Sequence, residues 1–283
     1  DSDFDLTNNT ATNSDPFTVT IQGAAVPPTV SVNANQQVYE DNSVNVPITV
    51  VGNGSVNETL TITVTGIPAG WGVNTGGVGT YSGGIWTINL PANTNFSGSL
   101  GLTPPANSDV NSPSITVTAV AHEPGGTTAT GTGSFVVVVD AVADGVNINA
   151  GSDAHGTFGS TVSLNPSTSL KDTDGSEEIT SITISGIPAG VTLNHGTNMG
   201  GGVWSLTQAQ LAGLTINGGT YSGTFNATMT VNSRERVATD SDFDFSNNTA
   251  SNSDSVNITF TAPQLPPPTV DVTTGVGGSG SGS

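Results

Sequence analysis

The chain has 283 residues and no cysteine, with 22 Asp plus Glu against 3 Lys plus Arg and a net charge of −19. Such a charge repels DNA, RNA and anionic lipid, whose binding requires cations that displace counterions, so nucleic acid is excluded as a partner. No run of about 18 apolar residues is present to cross a bilayer, which excludes direct membrane insertion by a helix. Without disulfides, a secreted domain must be held by its own core or by metals. An acidic chain poor in Lys suits an extracellular medium rich in divalent cations, which screen its carboxylates. The chain begins Asp1-Ser2-Asp3, without a basic and apolar leader, and reads as a fragment or processed product.

Thr and Val favour strands, while Gly, Asn, Asp and Pro favour turns. In chain order, strands are predicted at 17–21, 29–32, 44–51, 60–65, 85–90, 115–121 and 134–139. They continue at 161–164, 179–185, 203–206, 213–216, 224–231 and 255–261. Gln208 to Gly213 fits one short helical turn and nothing longer. Many short strands with turn signals between them indicate a sandwich. Trp86 and Trp204 are expected to fill the space between sheets.

Two internal repeats organise the chain. Asp1-Ser2-Asp3-Phe4-Asp5 returns as Asp240-Ser241-Asp242-Phe243-Asp244, and Asn8-Asn9-Thr10-Ala11 as Asn247-Asn248-Thr249-Ala250, an offset of 239 residues (240 minus 1). Thr61-Ile62-Thr63-Val64-Thr65-Gly66-Ile67-Pro68-Ala69-Gly70 is echoed by Ser181-Ile182-Thr183-Ile184-Ser185-Gly186-Ile187-Pro188-Ala189-Gly190, an offset of 120 (186 minus 66). The expected organisation is a terminal strand segment of a preceding repeat at 1–26, one sandwich at 27–143 and a second at 144–262. A Pro-rich hinge and Gly/Ser tail follow at 263–283. The fold class is all-β, as tandem immunoglobulin-like or cadherin-like β-sandwich domains.

The run Leu170-Lys171-Asp172-Thr173-Asp174-Gly175-Ser176-Glu177-Glu178-Ile179, the Gly-Ile-Pro-Ala-Gly segment and Gly201-Gly202-Val203-Trp204 resemble the cadherin-like or immunoglobulin-like repeats of large type I-secreted bacterial adhesins, the RTX adhesins. The resemblance covers most of 27–262. It implies tandem spacer repeats that bind Ca2+ at loops and domain junctions, at the bacterial cell surface or in an extracellular, biofilm-type matrix. It implies no particular ligand.

Asp172, Asp174, Glu177 and Glu178 are the strongest metal candidates. Calcium takes six to eight oxygens, and alternating acids with a Gly let a tight loop aim several inward. Asp240, Asp242 and Asp244 alternate and share one face of an extended strand, with Glu235 close enough in sequence to join them. Asp140 and Asp144 fall at the expected junction between the two sandwiches. The first copy is expected to bind calcium less well, because Asn53 and Asn57 stand where the second copy has charged ligands, leaving Glu58, Glu40 and Asp41.

Catalysis finds little support. His122, His155 and His195 lack metal-ligand spacing, no Gly-x-Ser-x-Gly elbow is present, and the glycine runs lack the Lys of a phosphate loop. The chain is read as structural, not an enzyme. Its expected partners are neighbouring repeats of the same chain or identical subunits, with a surface ligand or glycan as a further partner. Two rival readings stand beside the spacer: a strand-donating filament subunit using residues 1–22, and a carbohydrate-binding module built on Trp71, Tyr81 or the Gly-rich loops.

Overall fold

Alternation of buried and outward residues sets the architecture, because successive side chains of a strand point to opposite faces. Strand β4, introduced below, shows it fully: Leu60, Ile62 and Val64 are buried while Thr59, Thr61, Thr63 and Thr65 face outward. The structure, a computed structural model, describes residues 7, 10–19, 23–53, 56–236, 243–264, 266–270, 275 and 280. The chain divides into two compact units between Asp140 and Ala141. That boundary falls three residues before the expected one at 143.

The first unit contains β1 (Thr29–Ser31), β2 (Asn35–Tyr39), β3 (Val44–Val51), β4 (Thr59–Thr65), β5 (Gly72–Asn74), β6 (Thr80–Ser82), β7 (Ile85–Leu90), β8 (Phe96–Thr103), β9 (Ile115–His122) and β10 (Thr128–Asp140). A four-stranded sheet runs β1-β3-β8-β5, and a six-stranded sheet runs β2-β10-β9-β4-β7-β6. Between them lie Val46, Ile48, Leu60, Ile62, Trp86, Leu100, Phe135 and their neighbours. Trp86 is 1% exposed, meets Phe96 edge-on at 5.9 Å, and donates from Nε1 to the Val78 carbonyl at 2.7 Å. Its apolar body is therefore buried with its one donor satisfied.

The second unit repeats the plan with β11 (Val146–Asn149), β12 (Ala154–Thr157), β13 (Thr161–Ser163), β14 (Ser167–Leu170), β15 (Glu177–Ser185), β16 (Thr192–Leu193), β17 (Thr197–Gly200), β18 (Val203–Leu206), β19 (Thr215–Asn217), β20 (Gly223–Glu235) and β21 (Thr249–Thr261). Its large sheet runs β12-β21-β20-β15-β18-β17. The opposite layer is split into β11-β14 and β13-β19-β16. The break falls where Asn165 takes a φ of +52° just before Pro166, which has no N–H for a ladder. The expected helical turn is a 3-10 turn at Gln208–Leu211.

The recurring Gly-Ile-Pro-Ala-Gly has a steric origin. Gly66 and Gly186 have φ near +88° and +81°. A Cβ on Gly66 would sit 2.8 Å from the Ser114 carbonyl oxygen, and one on Gly186 would sit 2.4 Å from that of Asn226. The next residue, Ile67 or Ile187, is buried in its unit's core. The glycine lets the chain turn off the sheet edge and drop an isoleucine into the core.

Of the strand expected at 17–21, residues 17–19 carry no strand and 20–21 lie outside the described residues; Phe17 is 86% exposed.

Candidate metal centre

The acidic loop between β14 and β15 is built from its own side chains. Asp172 Oδ1 accepts the Asp174 N–H at 2.8 Å, and Asp174 Oδ1 accepts the Ser176 N–H at 2.8 Å. Asp172 Oδ2 takes the Ser176 hydroxyl at 2.7 Å. Two successive side-chain turns of this kind, with Gly175 at φ +103°, fold the loop tightly. They bury Asp172 to 2% exposure and leave Asp174 exposed.

The loop delivers Glu177 to the first position of β15, directly across the ladder from Glu235 at the end of β20. Both are buried, at 1% and 3% exposure. Glu177 Oε1 accepts the Gly145 N–H at 3.1 Å, while its Oε2 is enclosed with no hydrogen-bond partner. Asp144 is thereby placed next to the residue that holds Glu177. The Glu235 N–H donates to the Asn248 carbonyl at 3.0 Å, and the Ala143 N–H to the Asn247 carbonyl at 3.1 Å. Buried Glu177 and Glu235 therefore face each other at one end of the β15–β20 ladder, with Asp172 buried in the loop that leads into β15.

Buried carboxylates demand compensation, because ionised groups lose several kcal/mol of hydration on leaving water. The two arginines nearby do not reach inward to Glu177. Arg234 pairs with the neighbouring Glu178 at 2.7 Å and Arg236 with the same carboxylate at 3.6 Å, on the outer face of the sheet. Arg234, then the two charges together, hold the Glu178 carboxyl below its ordinary value. The structure thus separates the two adjacent glutamates: Glu177 points in, and Glu178 serves as an outward ion-pair acceptor rather than joining the cluster.

The other expected ligands distribute as follows. Asp244 Oδ1 caps a turn through the Ser246 N–H at 3.0 Å and its hydroxyl at 2.6 Å. Asp240 and Asp242 lie outside the described residues. Asp140 belongs to the first unit, where it is fully buried, pairs in register with Tyr39 and accepts the Glu40 N–H at 2.9 Å. Among the described residues, no group of three or more His, Asp or Glu side chains converges closely enough to hold a metal. The donors that do gather are all hard oxygens, which suit Ca2+ and not the softer transition metals. Glu177 Oε2 is the atom best fitted to a cation, and Glu235 and Asp172 are the carboxylates within the same end of the unit.

The sequence reading missed the position of Glu58. In the first unit the β4–β9 ladder runs to Thr59 opposite His122, one step short of Glu58 and Glu123. In the second unit a register shift between Ile179 and Ser181 inserts one residue into β15. That bulge moves the equivalence by one: Glu58 corresponds to Glu177 and Glu123 to Glu235, although the 120-residue repeat aligns Asn57 with Glu177. The first copy therefore keeps the buried glutamate that the sequence reading counted as replaced by Asn57. Glu58 and Glu123 are 4% and 9% exposed.

Tyr221 and Phe225 meet edge-on at 5.4 Å in the second unit, away from the aromatics expected as a carbohydrate platform. Trp86 and Trp204 are buried, Trp71 packs half-buried against the first core, and Tyr81 is 41% exposed.

No protein-family model matches the chain, and no curated protein matches it. Among solved structures, the protocadherin gammaB7 EC3-6 cis-dimer is similar at a TM-score of 0.32 and 10% identity, over 83% of this chain and 50% of that one. The chain thus spans about half the length of that structure's chain. What the residues themselves establish is a tandem pair of β-sandwiches, each carrying buried glutamates at the same place in its large sheet.

Proposed function

We propose that the chain is a pair of spacer repeats from an extracellular bacterial adhesin or surface fibre of the RTX type, ordered by calcium. The observation that carries this reading is the burial of Glu177 opposite Glu235 in a chain with 3 Lys plus Arg against 22 acids. A protein that buries acids and provides so few cations draws its positive charge from the medium. Calcium bound by Glu177, Glu235 and Asp172, with Asp144 adjoining the Gly145 that holds Glu177 and Asp244 following Glu235 in sequence, supplies that charge. The chain's own residues fix the donors: the Asp172 loop sets the start of β15, and the Gly145 N–H orients Glu177. The role is mechanical and not enzymatic, holding a distal part away from the cell or linking a cohesive fibre.

Thermal unfolding in calcium and in chelator tests it. A ligand that binds only the folded state stabilises it by about 2.7 kcal/mol at a hundred times its Kd, so the second unit's melting temperature rises with calcium. Equal melts in both media would remove calcium and leave the sandwich pair.

A second reading, strand donation, is favoured by one observation. Phe17 and Val19 are the repeat equivalents of Val256 and Ile258, which are 3% and 0% exposed in β21, yet they stand 86% and 68% exposed. A segment with the side chains of a core strand and no sheet fits addition to a preceding repeat or an identical subunit. A peptide of residues 10–22 that binds a chain truncated before β21 supports this reading, and absence of binding ends it.

A further inference from the structure

The end at which the last strand finishes differs in chemistry between the two units. Backbone bonds fix the correspondence. Past the parallel pairing of β2 with β10, the Glu40 N–H donates to the Asp140 carbonyl at 2.9 Å; past that of β12 with β21, the Phe158 N–H donates to the Thr261 carbonyl at 2.9 Å. Phe158 therefore stands where the first unit has Glu40, and Thr261 where it has Asp140. The neighbouring loops follow suit. Asp41 Oδ1 accepts the Asn107 N–H at 2.8 Å, from a loop that also carries Asp109. In the second unit the Gly159 N–H donates to the Gly219 carbonyl at 2.9 Å, from a loop that carries Tyr221. Segments 157–160, 186–190, 217–222 and 260–264 contain no charged residue. Phe158 is 44% exposed there, and Tyr221 meets Phe225 edge-on at 5.4 Å with both rings partly buried. A Cβ on Gly219 would sit 2.5 Å from the Gly190 carbonyl oxygen, so the Pro188-Ala189 turn borders the same end. Exposed apolar surface grouped in this way marks an interaction site.

The internal repeat says what comes next to that end. Pro267-Pro268-Thr269-Val270 restarts Pro27-Pro28-Thr29-Val30 of the first sandwich, an offset of 240 residues (267 minus 27). The linker from Ala262 to Pro268 reaches at most about 25 Å when extended, so a following copy is held at high effective concentration. The near end of the first sandwich has matching chemistry. Thr59 and Thr128 both lie opposite His122, which brings the β3–β4 loop and the residue before β10 to one end. Val56 in that loop is 70% exposed. Val26 is 48% exposed and is tied to the same end by the Ala25 N–H, which donates to Thr127 Oγ1 at 3.1 Å. Glu58 and Glu123 are turned inward there, at 4% and 9% exposure. Pro266 keeps an apolar residue at the place of Val26. Ends without exposed charge can approach each other in a chain whose net charge of −19 otherwise holds copies apart.

We infer that the Phe158 end of the second unit is a metal-independent seat for a following copy of the first sandwich, whose Val56 end covers Phe158 and Tyr221. The contact needs no ion, because it buries apolar surface and no charge. It rests on the tandem reading of the repeats and not on calcium.

The test uses the full chain continued from Val270 by a second copy of residues 31–140. The chain has no cysteine, so cysteines introduced at Ser205 and at the copy's Thr63 carry a single pair of spin labels. Their distance distribution in chelator is expected to be narrow and to stay so on adding Ca2+. Phe158→Glu, which installs the residue of the first unit's corresponding end, is expected to lose the narrow distribution, and so is Val56→Glu in the copy. Both positions are exposed, and the second unit's melting temperature is expected to be unchanged in Phe158→Glu. Should that variant fail to fold, Val56→Glu decides. A broad distribution in the unsubstituted chain in chelator, one that narrows only with Ca2+, or one that both variants leave narrow overturns the seat. Concentration-dependent association that Phe158→Glu abolishes, alongside a broad distribution, overturns it too and assigns the end to a separate chain. A melting temperature that ignores Ca2+ ends the calcium reading without widening this distribution, so the two fail separately.

Discussion

Glu177 and Glu235 stand directly opposite each other at the end of the β15–β20 ladder, both almost fully buried. Like charges placed this way destabilise a sheet unless a cation lies between them. In chelator, Glu177→Gln or Glu235→Gln is expected to raise the second unit's melting temperature by removing one of the two charges. In saturating calcium the same variants are expected to melt below wild type and to lose most of the calcium-induced rise. Differential scanning calorimetry in both media reads the crossing. A variant that shifts equally in both would show that no ion is shared.

Gly66 and Gly186 test the turn that marks each repeat. Alanine at either must adopt a left-handed backbone, which costs roughly 1–2 kcal/mol, and must also relieve the close approach to the Ser114 or Asn226 carbonyl. Urea unfolding of Gly66→Ala is expected to show a loss above about 2 kcal/mol in the first unit. Gly186→Ala is expected to lower the second by a similar amount. A loss below about 0.5 kcal/mol would mean that the turn has another conformation available.

Phe260 is fully buried, and Gly156 and Gly218 pack against its ring, where added Cβ atoms would come within 2.8 Å and 2.5 Å. Those glycines have no side chain to move into an emptied space. Phe260→Ala is therefore expected to fall at the upper end of the usual range of about 3–5 kcal/mol for such truncations. Denaturant unfolding followed by near-ultraviolet circular dichroism checks it, and a loss near 1 kcal/mol would show that the surrounding strands close over the cavity.

Acid stability follows from two partly exposed carboxylates. Asp254 accepts the Ala150 and Ser255 N–H groups, each at 2.9 Å, which lower its pKa below the ordinary 3.8. Glu178 is lowered below 4.5, chiefly by Arg234. A carboxyl depressed by folding stabilises the protein fully above its unfolded value and loses that contribution as pH falls through the folded one. Wild type is expected to lose stability as pH drops below 4.5, and Asp254→Asn and Glu178→Gln to flatten that slope. Melting temperatures between pH 6 and about 3 read the slope, and parallel curves for all three proteins would remove both carboxylates from it.

Much of the sandwich was legible because β-strand periodicity is local: Thr61 through Thr65 show it without any partner strand. The Gly-Ile-Pro-Ala-Gly turn was legible because only glycine fits there. Strand β8 was not legible, since Phe96-Ser97-Gly98-Ser99 looks like a turn. Gly98 is required because a Cβ would sit 2.6 Å from the Phe96 ring. The bulge at β15 was equally hidden. A single extra residue changes which glutamate is buried, and nothing in the linear repeat records it. Strand alternation sends adjacent Glu177 and Glu178 to opposite faces, and the insertion decides that Glu177 is the one turned inward.

One pairing near the ends of each unit has a mechanical consequence. Strand β2 lies parallel to β10 from Asn35–Val136 to Tyr39–Asp140, and β12 lies parallel to β21 from Ala154–Ile258 to Thr157–Thr261. Tension applied through the start of the early strand and the finish of the late one therefore acts along both strands in opposite senses. The backbone bonds between them are loaded together in shear and do not open one after another like a zipper. Each sandwich is clamped between its early and its late strand.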